Sequence, residues 1–364
     1  MDFSALTTIA SKEFFDHLRS RKFLLIFGIF LVIAIIGMIA GIAQYNDNLQ
    51  TYNENQGSTS SSPLRGFIAE KPSILSVFSN VATYLVFLGA ILGIAMGFDL
   101  ITKEKESKSL KILLSHPVYR DEVINGKAIG GVLALVFSLG VVLVLSLATL
   151  LVYGIVPDGG ELVLIGIFGA ISFLFIFSYF AIALFMSSIS EESGSALIYT
   201  IIIFVVLSSL VPMLARDTVM EGIVGSPPAM SQQLIDQMRS AAPQGNESRM
   251  VRIAIDDTNP EWNKYNQQMQ VYWDKRMAVE GTLALFSPTT NYERMVTTVT
   301  TTNDAVVNMR RGAGGFAVAR AYGEQSGQNA DPLGAIVNNL VALVLFPAVF
   351  FGLAYIRFMR LDVR

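Results

Sequence analysis

Asp99–Gly130, DLITKEKESKSLKILLSHPVYRDEVINGKAIG, stands between two apolar runs, and its reading decides the fold. Both signs of charge crowd its first half, yet Leu110, Leu113, Leu114 and Pro117 form an apolar stripe at helical spacing. The run before it, about Val81 to Leu100, contains YLVFLGAILGIAMGF, and the run after it covers about Ala128 to Val156. Each is long enough to cross a bilayer, which takes roughly 20 mostly apolar residues. The charged stretch is therefore a connection between two membrane crossings.

Working outward, four further runs qualify: about Phe23 to Ala43 (FLLIFGIFLVIAIIGMIAGIA), Leu162 to Met186, Ala196 to Leu214, and Leu333 to Tyr355. None has Lys or Arg in its interior. Composition agrees, since 52% of residues are hydrophobic and 15% charged, against about 25% charged in a soluble domain. A net charge of -3 with no basic domain gives no sign of a nucleic-acid partner. The absence of cysteine excludes disulfides, thiolate metal sites and a catalytic thiol. The first run is longer than a signal-peptide core of roughly 7 to 15 residues, so it reads as an uncleaved anchor.

Lys and Arg fix the expected orientation. Lys12, Arg19, Arg21 and Lys22 precede the first span; Lys103, Lys105, Lys108, Lys111, Arg120 and Lys127 lie between the second and third; Arg357, Arg360 and Arg364 follow the sixth. Six crossings in a cell membrane with both termini cytoplasmic satisfy this bias. The opposite side then receives Gln44 to Asn80, a turn near Pro157 to Glu161, and a long insert from about Ala215 to Asp331.

The insert is too long for a structureless connection. SQQLIDQMRSAA and NKYNQQMQVYWDKRMAVEGTLALF place apolar residues at helical spacing, which predicts a mainly helical domain. TTVTTTNDAVV, from Thr297, has the composition of a strand, and ENQGSTSSSP at Glu54 to Pro63 reads as a solvated linker. Asn246-Glu-Ser248 matches a glycosylation sequon, a short pattern that chance often produces.

Catalytic chemistry has little to stand on. His17 and His116 are the only histidines and neither opens an H-E-x-x-H; the adjacent Glu191 and Glu192 project in different directions; Asp256 and Asp257 read as solvated carboxylates. No span interior carries a carboxylate of the kind an ion-coupled transporter uses. Gly89, Gly93 and Gly97 on the second span, like Gly37 and Gly41 on the first, suit close helix packing. For the stripe three readings stand: an interfacial helix with its lysines on phosphates, a solvated loop, or a surface for a partner protein.

The opening stretch closely resembles the cytoplasmic segment of permease subunits of ABC transporters of the type-2 exporter family. The matching positions are Asp99, Glu104, Lys105, Glu106, Leu110, Leu113, Leu114, Ser115, Pro117, Val118, Arg120, Gly126 and Lys127. In one departure, Lys108 and Ser109 stand where the family usually has Gly-Thr. The resemblance extends to the six spans and to the amphipathic residues 1–22, but not to the insert.

What the resemblance implies is an all-α polytopic membrane protein. Residues 1–22 form an N-terminal elbow helix at the interface, with Phe3, Leu6, Ile9, Phe14 and Leu18 on one face. Residues 23–214 hold spans one to five with a coupling helix near 102–121, residues 215–332 an extracytoplasmic domain, and residues 333–364 the sixth span and tail. Leu110, Leu113, Leu114, Ser115 and Pro117 would seat in a cleft of a nucleotide-binding ATPase subunit, with Glu104, Lys105, Glu106, Lys111 and Arg120 fixing register. The chain contains no G-x-x-x-x-G-K-[ST], so it holds no cofactor of its own, and ATP and Mg belong on that partner. A second permease copy, membrane lipid and an extracytoplasmic protein are the other expected partners. A membrane receptor or scaffold whose insert binds an extracellular partner is the alternative of a different class.

Overall fold

The computed structural model describes residues 3–57, 72–108, 119–241, 259–300 and 332–360, and among them every regular element is a helix. Helices α1 (Phe3–Arg19) and α2 (Arg21–Gly57) lead to α3 (Ser76–Gly97) and the short α4 (Thr102–Glu106). Next come α5 (Arg120–Val152), α6 (Gly159–Ile189) and α7 (Ser193–Leu214). The insert supplies α8 (Asp217–Val224), α9 (Gln232–Ala241), α10 (Pro260–Leu285) and α11 (Pro288–Thr300), and α12 (Pro332–Met359) follows.

Helices α2, α3, α5, α6, α7 and α12 are the six long and apolar enough to cross a membrane, one for each expected span. Several outrun the bilayer. At 1.5 Å per residue, the 37 residues of α2 reach about 55 Å, well past a hydrocarbon core of about 30 Å. That extension draws Glu54–Gly57 of the expected linker into the helix. Helix α6 starts in a reciprocal cap, Glu161 N donating to Asp158 Oδ1 (2.7 Å) and Asp158 N to Glu161 Oε2 (2.8 Å). Helix α7 opens into a π-helical turn over Val206–Leu210 just before Pro212, whose missing N–H and bulky ring disrupt the α-helical ladder.

Helix α6 is the centre of the bundle. Phe168, Phe175, Ile176, Tyr179, Phe180 and Leu184 are all buried, and α3 and α12 pack along it. The glycines of α3 explain its close approach. A methyl group on Gly93 would stand 2.5 Å from the Ile176 carbonyl oxygen, and one on Gly97 2.6 Å from that of Phe180. Gly89 meets the Ile176 side chain on the same face. Gly41 does the same for α2, its Cβ position lying 2.5 Å from the Val77 oxygen of α3.

One part of the insert does not stay apart from the bundle. Helices α10 and α11 form a hairpin tied by Arg294 Nη2 to Glu280 Oε1 at 2.9 Å, and α11 packs on α3, α6 and α12. The Tyr292 ring stacks on Phe175, with centroids 4.6 Å apart, and its hydroxyl meets Ser172 Oγ at 3.1 Å. Nearer the hairpin tip, Thr289 Oγ1 meets the Tyr179 hydroxyl at 2.8 Å. Tyr179 stands ten residues before Ile189, about 15 Å along α6. The tip therefore reaches roughly half the depth of a hydrocarbon core. Thr297–Thr300, where composition suggested a strand, instead completes α11, because Met295, Val296 and Val299 must face the bundle at helical spacing. The rest of that segment, the Asn246 sequon, and Asp256 and Asp257 lie outside the described residues.

Candidate functional site

The motif residues converge where α3 ends. The backbone loses regular helix over Phe98–Ile101 before α4 begins, and the amides freed there are met by one side chain. Ile101 N and Thr102 N both donate to Ser187 Oγ of α6, at 3.0 and 3.1 Å, and Ser193 Oγ of α7 donates to Thr102 Oγ1 at 3.0 Å. Thr102 and Ser187 are fully buried, so these bonds satisfy groups that water cannot reach.

Each residue of the following Glu-Lys-Glu triplet then reaches a different helix. Glu104 Oε1 pairs with Lys127 Nζ of α5 at 2.9 Å. Lys105 Nζ donates to the Ser188 and Ser190 carbonyls at 2.9 and 2.8 Å, closing the last turn of α6. Glu106 accepts from Ser193 N at the first turn of α7. These are the contacts that helix ends require: a cation on terminal carbonyls and an anion on terminal amides. Arg120 extends the pattern to α12, donating from Nη1 to the Met359 carbonyl at 3.4 Å. One short segment thereby ties the ends of four spans.

Lys127 is the pivot of this arrangement. Its ammonium, on a side chain only 6% exposed, also meets Glu13 Oε2 of α1 at 2.9 Å, so a single buried cation holds two carboxylates from two helices. The approach of α1 depends on glycine. A Cβ on Gly126 would fall 2.8 Å from Ile9 Cγ2, and one on Gly130 2.7 Å from the Ala10 oxygen. The apolar face of α1 accordingly rests on α5, with Ile9, Phe14 and Leu18 packed against the core. The Gly126-Lys127 dipeptide combines these two functions, close approach and charge.

Beside the pivot lies a polar cavity of about 240 Å³, lined by Asp16, His17, Asp99, Lys103, Glu104 and Lys127 among others. Burial holds the His17 imidazole below its ordinary pKa, against the opposing pull of Glu13 and Asp99. Its Nε2 has no hydrogen-bond partner among the described residues and stands 3.8 Å from Glu13 Oε1. Asp99 pairs with Lys22 of α2 at 3.2 Å.

Lys108 resolves the one departure from the expected motif. It has φ 56°, a left-handed conformation that glycine adopts without strain and lysine does not. The chain keeps the bend that a glycine would favour. Leu110, Lys111, Leu113, Leu114, Ser115 and Pro117 lie outside the described residues, so the structure places Glu104, Lys105, Glu106 and Arg120 of the expected interface, and Gly89, Gly93 and Gly97 against α6. Glu13, Ser187, Ser193 and Tyr292 carry no recognisable motif and emerge only from the packing. Among the described residues no group of three or more His, Asp or Glu could hold a metal ion.

Known proteins were compared with this chain. A family model described as ABC-2 family transporter protein matches residues 7–363. The probable ABC transporter permease protein NosY of Pseudomonas aeruginosa is 29% identical over 192 residues, which is 52% of this chain and 62% of that protein. The protein of the same name from Stutzerimonas stutzeri is also 29% identical over 192 residues, covering 52% of this chain and 61% of its own length. The match thus spans about three-fifths of the relatives' length.

Proposed function

The chain belongs to the ABC-2 family of transporter proteins, and from that premise we propose that it is a permease subunit driven by a separate nucleotide-binding ATPase. The relatives named as permeases support this reading for the half of the chain they match. The observation that carries it is the linkage at α4. Glu104, Lys105, Glu106 and Arg120 join the segment next to the apolar stripe to α5, α6, α7 and α12. A push on the stripe reaches these helices together instead of bending one loop.

Buried ionic contacts transmit such a push because separating them leaves charges unpaired, a cost of several kcal/mol, about 3–5 for a buried pair. The displacement travels along α6 from Ser187 to Tyr179 and Ser172, where the α10–α11 hairpin is seated. Motion at the basic end thereby reaches the insert. The direction is export, with basic segments cytoplasmic, a second copy of the chain completing the pathway, and the insert meeting an extracytoplasmic partner. This chain is non-catalytic, and ATP and Mg act on the ATPase.

Copurification from detergent, with and without ATP, tests the reading on the native chain and a Leu113→Asp/Leu114→Asp variant. An ATPase retained by the native chain and lost from the variant is the expected result. Absence of an ATPase from both, with the variant still monodisperse, overturns the coupling reading and favours a receptor or scaffold built around the insert.

A further inference from the structure

An apolar groove of about 850 Å³ runs between α2 and α7, with α3 as its floor. Its lining is polar at one end only, where Lys22 and Ser193 stand, and it is closed at the other by Phe87 and Phe204, whose ring centroids lie 6.3 Å apart. From Phe98, beside Lys22, to Phe87 is eleven residues, about 16 Å along α3. That is the depth of one leaflet, half of a hydrocarbon core of about 30 Å.

Headgroup-level charge at one end, a hydrocarbon wall of one-leaflet length, and a closed end at mid-depth are complementary to a single amphiphile. We propose that the groove binds one acyl tail of a glycerophospholipid from the leaflet at the basic end, with the lipid phosphate on Lys22. The Lys22 side chain is 67% exposed and its Nζ makes one contact at 3.2 Å with Asp99 and lies 5.2 Å over the Phe98 ring, so its remaining N–H groups face outward. Asp99 holds the ammonium at the mouth and offsets its charge. Recognition therefore follows the phosphate and not the net charge of the headgroup. Nothing stands within 4 Å of a Cβ built on Gly194, which leaves the mouth open for the tail to enter.

Lipid analogues with a diazirine in the acyl tail test this on the full chain in vesicles. Phosphatidylethanolamine and phosphatidylglycerol probes label Ile91, Ile201 and Phe204 equally, whereas a diacylglycerol probe without phosphate labels them about fivefold less, the loss of one headgroup contact. Lys22→Ala gives the same reduction with the phosphate probes, and Gly194→Phe, which fills the mouth without a clash, abolishes labelling. Labelling spread equally over Leu133, Val136 and Val144, which are exposed on α5, overturns the proposal. So does labelling that both substitutions leave unchanged. An Ile201→Cys variant of this cysteine-free chain supplies the other check. Its capture as a disulfide dimer in vesicles assigns the face to a second copy and sinks the lipid site.

Discussion

The bundle buries two polar clusters, and they differ in kind. At the basic end Glu13, Glu104 and Lys127 form an ionic network beside a polar cavity. Half-way down α6 the contacts are neutral, Tyr292 with Ser172 and Tyr179 with Thr289. The contrast follows from desolvation. A hydroxyl costs little to bury when it is hydrogen-bonded, whereas an ion needs a compensating charge and tolerates depth poorly. Charges stand near helix ends, where backbone groups also need partners; hydroxyls serve where two helices must adhere within the apolar core.

Lys127→Met gives the largest expected effect. It leaves Glu13 and Glu104 facing each other with no cation between them, a loss of about 3–5 kcal/mol. The thermal midpoint of the detergent-solubilised protein should drop, and Lys127→Arg should recover part of it. An unchanged midpoint would show that the network contributes nothing and would remove the contrast. Tyr292→Phe in the neutral cluster should cost less, about 1 kcal/mol, since it strands only the Ser172 hydroxyl. Equal losses in the two variants would mean that charge makes no difference at these depths.

Two smaller effects refine the ionic side. Lys108→Gly relieves the left-handed backbone and should raise stability by up to about 1 kcal/mol; a loss would mean that the lysine side chain makes a compensating contact. His17 sets a pH dependence. Its folded pKa is lowered, so the unfolded chain takes up the proton first as pH falls below about 6.5. The stability due to neutral His17 is thus complete above that pH and declines below it. Amide exchange of α1 should accelerate between pH 7.5 and 5.5 relative to α6, and a His17→Gln variant should lose that difference.

How legible this was depended on the kind of signal. The apolar runs announced the spans, and the Gly89, Gly93 and Gly97 repeat announced a packing face. The Glu-Lys-Glu triplet announced a site but not its contacts, because nothing in the spacing of Glu104, Lys105 and Glu106 says that three different helices end beside them. Helix α11 was the hardest to read. PTTNYERMVTTVT is polar on average, and its few apolar residues, at helical spacing with Tyr292 and Met295, read equally well as the face of a separate domain.

The sequence by itself determined six crossings, since hydrocarbon demands about 20 apolar residues in a helix whatever surrounds it. It also determined which end is basic. Tertiary structure decided that Lys127 joins α1 to α4, that Ser187 meets the amides freed by the break after α3, and that α11 descends into the bundle. These are contacts between residues far apart in the chain. Their energies depend on a partner and a local dielectric that exist only once the helices have packed.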